Sequence, residues 1–157
     1  MATIASKFYD TLPVVNGDCA GDVVINNYFI DVTAAQLLLN NVFEIGPIPA
    51  GHTVVDVTLI PDDLDSGTAI TLDVGIMSGT PGDVVSVRTT GAELFAASTA
   101  AQTGIAAHPT LASAFTILAK EIDRSIGVKV ATAPTTAVAG RIRLQVLVAP
   151  ADHKLQF

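Results

Sequence analysis

The segment Arg141-Ile-Arg-Leu-Gln-Val-Leu-Val148 sets Ile142, Leu144, Val146 and Val148 on one parity and Arg141, Arg143 and Gln145 on the other. A β-strand sends successive side chains to opposite faces, so this stretch offers one face to a core and one to water. Ile70, Leu72, Val74 and Ile76 repeat the pattern against Thr71, Asp73 and Gly75. Val55, Val57 and Leu59 do so against Asp56 and Thr58, and Ile126, Val128 and Val130 against Gly127 and Lys129. Half-buried strands of this kind belong to antiparallel sheets, because parallel sheets are covered on both faces and read as unbroken apolar runs. Val, Ile and Thr supply 48 of the 157 residues, and their stiff branched side chains suit a pleated surface.

Turn residues punctuate these strands. Gly46-Pro-Ile-Pro-Ala-Gly51 predicts a turn between two apolar segments, and Pro61-Asp-Asp-Leu-Asp-Ser-Gly67 links the Val54 strand to the Ile70 strand. Gly79-Thr-Pro-Gly-Asp83 ends the latter, and Pro134-Thr-Thr-Ala-Val-Ala-Gly140 joins the last two. Turns every eight to twelve residues with no regular helix between strands point to an all-β, antiparallel β-sandwich, jelly-roll-like, with long loops and at most one or two short helices. Residues 91–101 have the composition of a short helix inside a long loop. Residues 111–122 fit a helix through Leu111, Ala114, Phe115, Leu118 and Ile122, or a strand over 115–119, and the strand is the preferred expectation. Residues 1–22 lack periodicity and read as an N-terminal arm or an edge strand, residues 23–150 as the sandwich domain, and residues 151–157 as a C-terminal tail.

At 157 residues the chain is the size of one domain and long enough to hide about 70% of its unfolded surface. Half of it is hydrophobic and 15% charged, which excludes wholesale disorder. The net charge of −7 argues against a non-specific grip on nucleic acid or an anionic membrane. From Asp10 to Glu93 there are 12 acids and one base, Arg88, whereas from Lys120 to Phe157 there are six bases and three acids. These sets are either solvated faces of neighbouring strands or patches that meet between subunits. Mean hydropathy is high, +0.53. Yet the first ten residues have no signal-peptide core, and the uncharged stretch over 94–119 is alanine-rich and broken by polar residues, so no membrane span is expected. The apolar excess predicts surface that other chains cover.

Candidate chemistry is sparse. Asp62, Asp63 and Asp65 form a carboxylate cluster dense enough for a calcium ion, but the EF-hand spacing and a closing Glu are missing, and hairpin loops use Asp, Ser and Gly to satisfy their own backbone. His52, His108 and His153 make no metal-ligand spacing, and His52 and His153 read as solvent-facing. Cys19 stands alone, between Asp18 and Asp22, whose charges would raise a thiol pKa. There is no phosphate-cradling glycine motif. The absence of Trp, with only Tyr9 and Tyr28 as tyrosines, weakens an aromatic platform for sugars or single-stranded nucleic acid. No catalytic residue, metal site or cofactor is expected.

Four segments carry a family likeness: Leu72-Asp-Val-Gly-Ile-Met-Ser-Gly-Thr-Pro-Gly-Asp83, Arg88-Thr-Thr-Gly-Ala-Glu-Leu-Phe-Ala-Ala-Ser98, Asp123-Arg-Ser-Ile-Gly-Val128 and the closing strand Gly140-Arg-Ile-Arg-Leu-Gln-Val-Leu-Val148. In this order, over residues 42–149, the chain resembles small virion structural proteins of tailed bacteriophages, among them capsid decoration (cement) proteins. The resemblance implies a sandwich or jelly-roll-like homo-oligomer, a trimer at capsomer junctions, bound to the major capsid protein on the capsid exterior and without catalytic residues. The alternative expectation is a β-sandwich recognition module, associated with a tail or fibre or binding carbohydrate or a cell surface.

Overall fold

The computed structural model describes residues 3–5, 22–85 and 87–151, arranged as two packed sheets. The strands are β1 (Thr3–Ala5), β2 (Val24–Val32), β3 (Val42–Ile48), β4 (His52–Pro61), β5 (Thr71–Ile76), β6 (Phe95–Ser98), β7 (Arg124–Thr132) and β8 (Gly140–Pro150). One sheet has the order β1-β3-β7-β5-β6 and the other β2-β8-β4. All pairs are antiparallel except the three-residue β1, which runs parallel to β3 at the edge of the larger sheet. Among the described residues there are three single-turn 3-10 helices (Ala34–Gln36, Ala100–Gln102 and Ala112–Phe115), against an expectation of at most one or two short helices.

The pairings nest. β2 pairs with β8, β3 with β7, and β5 with β6, while β4, paired with β8 along one edge, meets on its other edge a single bridging residue, Ala107, through reciprocal Leu59–Ala107 hydrogen bonds of 2.9 Å. This is one long antiparallel ribbon rolled into two layers, the connectivity of a jelly roll. The strand that would lie beside β4 is reduced to one bridge because Gly104 and Pro109 bracket it, and proline has no N–H to give a ladder.

The alternating stripes meet between the layers. Ile142, Leu144, Val146 and Val148 of β8 face Leu72 and Val74 of β5 and Ile126, Val128 and Val130 of β7 in one buried cluster. Each fully buried aliphatic side chain contributes roughly 1.5–3 kcal/mol. In β4 the predicted phase fails at its start: Val54 is buried and Val55 exposed, because a β-bulge between Val54 and Asp56 inserts a residue and flips the parity. In β3 the strand runs through Gly46 and Pro47, so the turn predicted over 46–51 is confined to residues 49–51. Gly46 is required there: a Cβ would collide with the ring of the buried Tyr28, whose hydroxyl donates to the Pro47 carbonyl at 3.0 Å.

Two other expectations are overturned. Of the helix expected within 91–101 only the 3-10 turn starting at Ala100 appears; Phe95–Ser98 is instead β6, an alanine-rich strand bulged against β5, where Ala97 has φ 47°. That left-handed backbone is held by the Asp73 carboxylate, which accepts the Ala97 N–H at 2.8 Å. The strand preferred over 115–119 is absent: a 3-10 turn at Ala112–Phe115 leads into an irregular segment that anchors on β4 by the Thr53 hydroxyl donating to the Ile117 carbonyl, 2.5 Å.

Candidate functional site

The carboxylate cluster is turned inward. Asp65 is buried and accepts five backbone N–H groups: Gly67 and Thr136 on Oδ1 at 2.9 Å each, and Ala69, Ile70 and Thr135 on Oδ2 at 2.8, 3.0 and 3.1 Å. Burial opposes its charge, but these donors prevail and hold the carboxyl well below its ordinary range. Asp62 accepts Nη1 of Arg143 and the backbone N–H of Arg141, both at 2.8 Å, and the Arg143 hydrogen bond lowers its pKa. Asp63 accepts the Asp65 N–H at 3.2 Å. Asp65 thus joins the 61–70 loop to the β7–β8 connection and Asp62 joins it to β8, while Asp63 bonds within the loop, and among the described residues no group of three metal-ligating side chains converges.

The remaining sequence candidates stay apart. His52 is buried at the start of β4, not solvent-facing, because it shares the inward parity of Val54; its Nδ1 lies 2.9 Å from the Ala50 carbonyl. His108 is exposed, 3.4 Å from the Thr58 hydroxyl. Tyr28 is in the core and offers no platform. Tyr9, Cys19 and His153 lie outside the described residues. Three ion pairs join an acid of the first half to a base of the last third: Asp31–Arg141, Asp62–Arg143 at 2.8 Å and Asp73–Lys129 at 2.8 Å. Both charge sets therefore meet on adjacent strands within one chain.

Sequence reasoning missed the roof over the outer face of the larger sheet. Glu44, Gly127 and Gly75 form a row across β3, β7 and β5 on that face. The β5–β6 connection lies on this row because two of its members have no side chain: a Cβ on Gly75 would strike Glu93 and Gly91, and one on Gly127 would come within 2.6 Å of Met77. From this connection Arg88 reaches down to Glu44, Nη1 to Oε2 2.6 Å, with side-chain exposures of 2% and 0%. Arg88 also donates to the Ser78 carbonyl at 2.7 Å and the Ser125 hydroxyl at 2.8 Å, and Glu44 accepts the Gly82 N–H at 3.1 Å. Every strong donor and acceptor of the pair is engaged, as a buried ion pair requires. The signal available in sequence was that Arg88 is the one base among 12 acids.

Exposed apolar side chains collect at one end of the sandwich. There β2 and β4 begin, β8 ends, and the β3–β4 turn is tied to the segment before β7 by Gly51 N–H to the Lys120 carbonyl and Ala50 N–H to Asp123, 2.8 Å each. Val23 and Ile25 of the β2 side, Val55, and Phe115, Leu118 and Ile122 before β7 are exposed there, while Val84, Val85 and Val87 are exposed on the connection leaving β5. Six of the thirteen large exposed hydrophobics among the described residues lie at this end. Monomers seldom leave such patches to water.

No protein-family model matches the chain, and no curated protein does. Among solved structures it is similar to a chain of the capsid of Ralstonia phage GP4, with 42% identity and a TM-score of 0.87 over 96% of this chain and 99% of that one. It is also similar to a chain of the cyanophage Pam1 capsid asymmetric unit, with 25% identity and a TM-score of 0.61 over 90% of this chain and 94% of that one.

Proposed function

Because this chain belongs to the family of phage capsid proteins that includes its Ralstonia phage GP4 relative, and is a virion structural protein, we propose that it decorates the capsid exterior as a cement protein. It bridges major capsid protein subunits, acts as a homotrimer at capsomer junctions and catalyses no reaction. The apolar end of the sandwich carries this reading: a stiff two-layer body with its exposed aliphatic side chains gathered at one pole is suited to clamping other protein surfaces. A clamp that binds the assembled shell and not its free subunits stabilises the shell by mass action. The net charge of −7 favours contact with protein over contact with DNA phosphates.

Mass spectrometry and cryo-electron microscopy of purified virions test the proposal. The expected result is a fixed copy number, density on the outer surface across capsomer boundaries, and lower heat tolerance of particles made without the protein. Absence from particles, or density confined to the tail, overturns it.

A further inference from the structure

We propose that the groove between the end of β5 and the segment before β7 is a docking site for an acidic segment of another protein, a carboxylate flanked by aliphatic side chains. Ile76, Met77 and Gly79 lie on one side of the groove and Ile117, Leu118 and Ile122 on the other, around about 530 Å³. That is within the range of ligand clefts, about 300–1,000 Å³. Both walls are fixed. The Met77 N–H donates to the Ser125 carbonyl at 2.9 Å, and across the groove the Thr53 hydroxyl holds the Ile117 carbonyl and the Gly51 N–H the Lys120 carbonyl. Leu118 and Ile122 are exposed on this fixed wall, so apolar contact is offered with little ordering left to do on binding.

Charge selects the occupant. Six lysines and arginines belong to the described residues, and four of them pair with acids: Arg88 with Glu44, Lys129 with Asp73, Arg141 with Asp31 and Arg143 with Asp62. The other two, Lys120 and Arg124, make no ion pair among the described residues, and both line this groove. Arg124 donates from Nη2 to the His52 carbonyl at 3.2 Å, while its buried Nε–H has no acceptor among the described residues. Burial disfavours the guanidinium charge, and an anion brought beside it offsets that cost. The acids of the groove are already engaged: Glu93 accepts the Ile76 N–H at 3.1 Å and Asp123 the Ala50 N–H at 2.8 Å. Cationic donors therefore remain available where the carboxylates are not. A second copy of this chain supplies the occupant badly, because its acids with branched aliphatic neighbours on both sides, Asp31, Asp56 and Asp73, are held inside β2, β4 and β5. This deepens the capsid reading by naming the chemistry of one contact, and rests on it for a protein occupant.

The test is an NMR titration of the isotope-labelled full-length chain with the blocked peptide acetyl-Leu-Glu-Leu-amide and its Gln counterpart. The Glu peptide should shift the Met77, Leu118 and Ile122 amides and the Arg124 Nε–H resonance saturably, and the Gln peptide should bind about tenfold more weakly, the effect of losing a charge-assisted hydrogen bond. Lys120→Gln, which alters an exposed side chain without an ion pair among the described residues, should melt like wild type, bind the Glu peptide about threefold more weakly and flatten its salt dependence. Arg124→Lys keeps the charge but lacks the Nε donor, and should weaken binding by about tenfold at unchanged fold, read from the amide spectrum. No saturable shift at tens of millimolar peptide, equal binding of the two peptides, or a Lys120→Gln chain that binds as wild type overturns the inference. So does self-association of the chain that Lys120→Gln disperses, since the occupant is then a second copy. A chain present in virions whose groove ignores the peptide refutes the site and leaves the capsid reading standing; a chain that binds the peptide and is absent from virions does the reverse.

Discussion

On the outer face of the five-stranded sheet, Glu44 and Arg88 pair under a roof of chain. On the outer face of the three-stranded sheet, Asp31 and Arg141 pair in the open, with side-chain exposures of 65% and 38% and Arg141 lying 4.3 Å from the centroid of the Phe29 ring. The chemistry is the same and the consequence is not. A buried pair is an obligation, since either partner left alone is an unsolvated charge, whereas an exposed pair is exchanged for water at little loss. Glycine decides which face receives a roof: Gly75 and Gly127 open a channel for the β5–β6 connection, while Asn27, Thr58 and Gln145 fill the equivalent surface of the other sheet.

The largest break in this contrast is expected from Arg88→Met, which strands the Glu44 carboxylate and costs about 3–5 kcal/mol in denaturant unfolding. Glu44→Gln combined with Arg88→Met should regain most of the loss, since Gln still accepts the Gly82 N–H. Asp65 sharpens the comparison, being a buried carboxylate held by backbone donors and no cation. Its folded-state pKa lies below the unfolded value, so its stabilisation is present above about pH 4 and is lost as pH falls through the folded value. Asp65→Asn should be less stable at pH 7, by less than Arg88→Met, and the gap to wild type should narrow as thermal melts are repeated at lower pH. Gly75→Val should lift the roof at a cost of about 1–3 kcal/mol, while Asn27→Val on the bare face should change stability by less than about 0.5 kcal/mol. Smallest of all, Arg141→Ala should melt indistinguishably from wild type, the more so in high salt.

What the sequence disclosed follows the same division. β7 and β8 were legible because a strand with one wet face alternates, and Ile126 to Val130 and Ile142 to Val148 keep strict parity. Val55 misled because a bulge leaves no mark in residue type. β6 was hidden because Phe95-Ala-Ala-Ser98 has helical composition, and only the Asp73 carboxylate from another strand stabilises its left-handed Ala97. Arg88 was visible as an oddity of charge, but its depth depends on two glycines 13 and 39 residues away in the chain aligning across strands. The loop role of Asp65 was anticipated in kind, from the habit of Asp, Ser and Gly in turns, although its reach to Thr135 and Thr136 depends on tertiary pairing. The apolar end was foreshadowed by hydropathy, yet its location emerges only when separate loops are gathered at one pole.

β8, the last strand in chain order among the described residues, occupies the middle of its sheet, where Gln145 hydrogen-bonds Asn27 across 118 residues. A nascent chain therefore cannot close that layer until Pro150 has cleared the ribosome, and products truncated before Gly140 carry β2 and β4 as two naked edges prone to aggregation and degradation. Synthesis of β8 thus acts as a checkpoint on which copies reach a folded state.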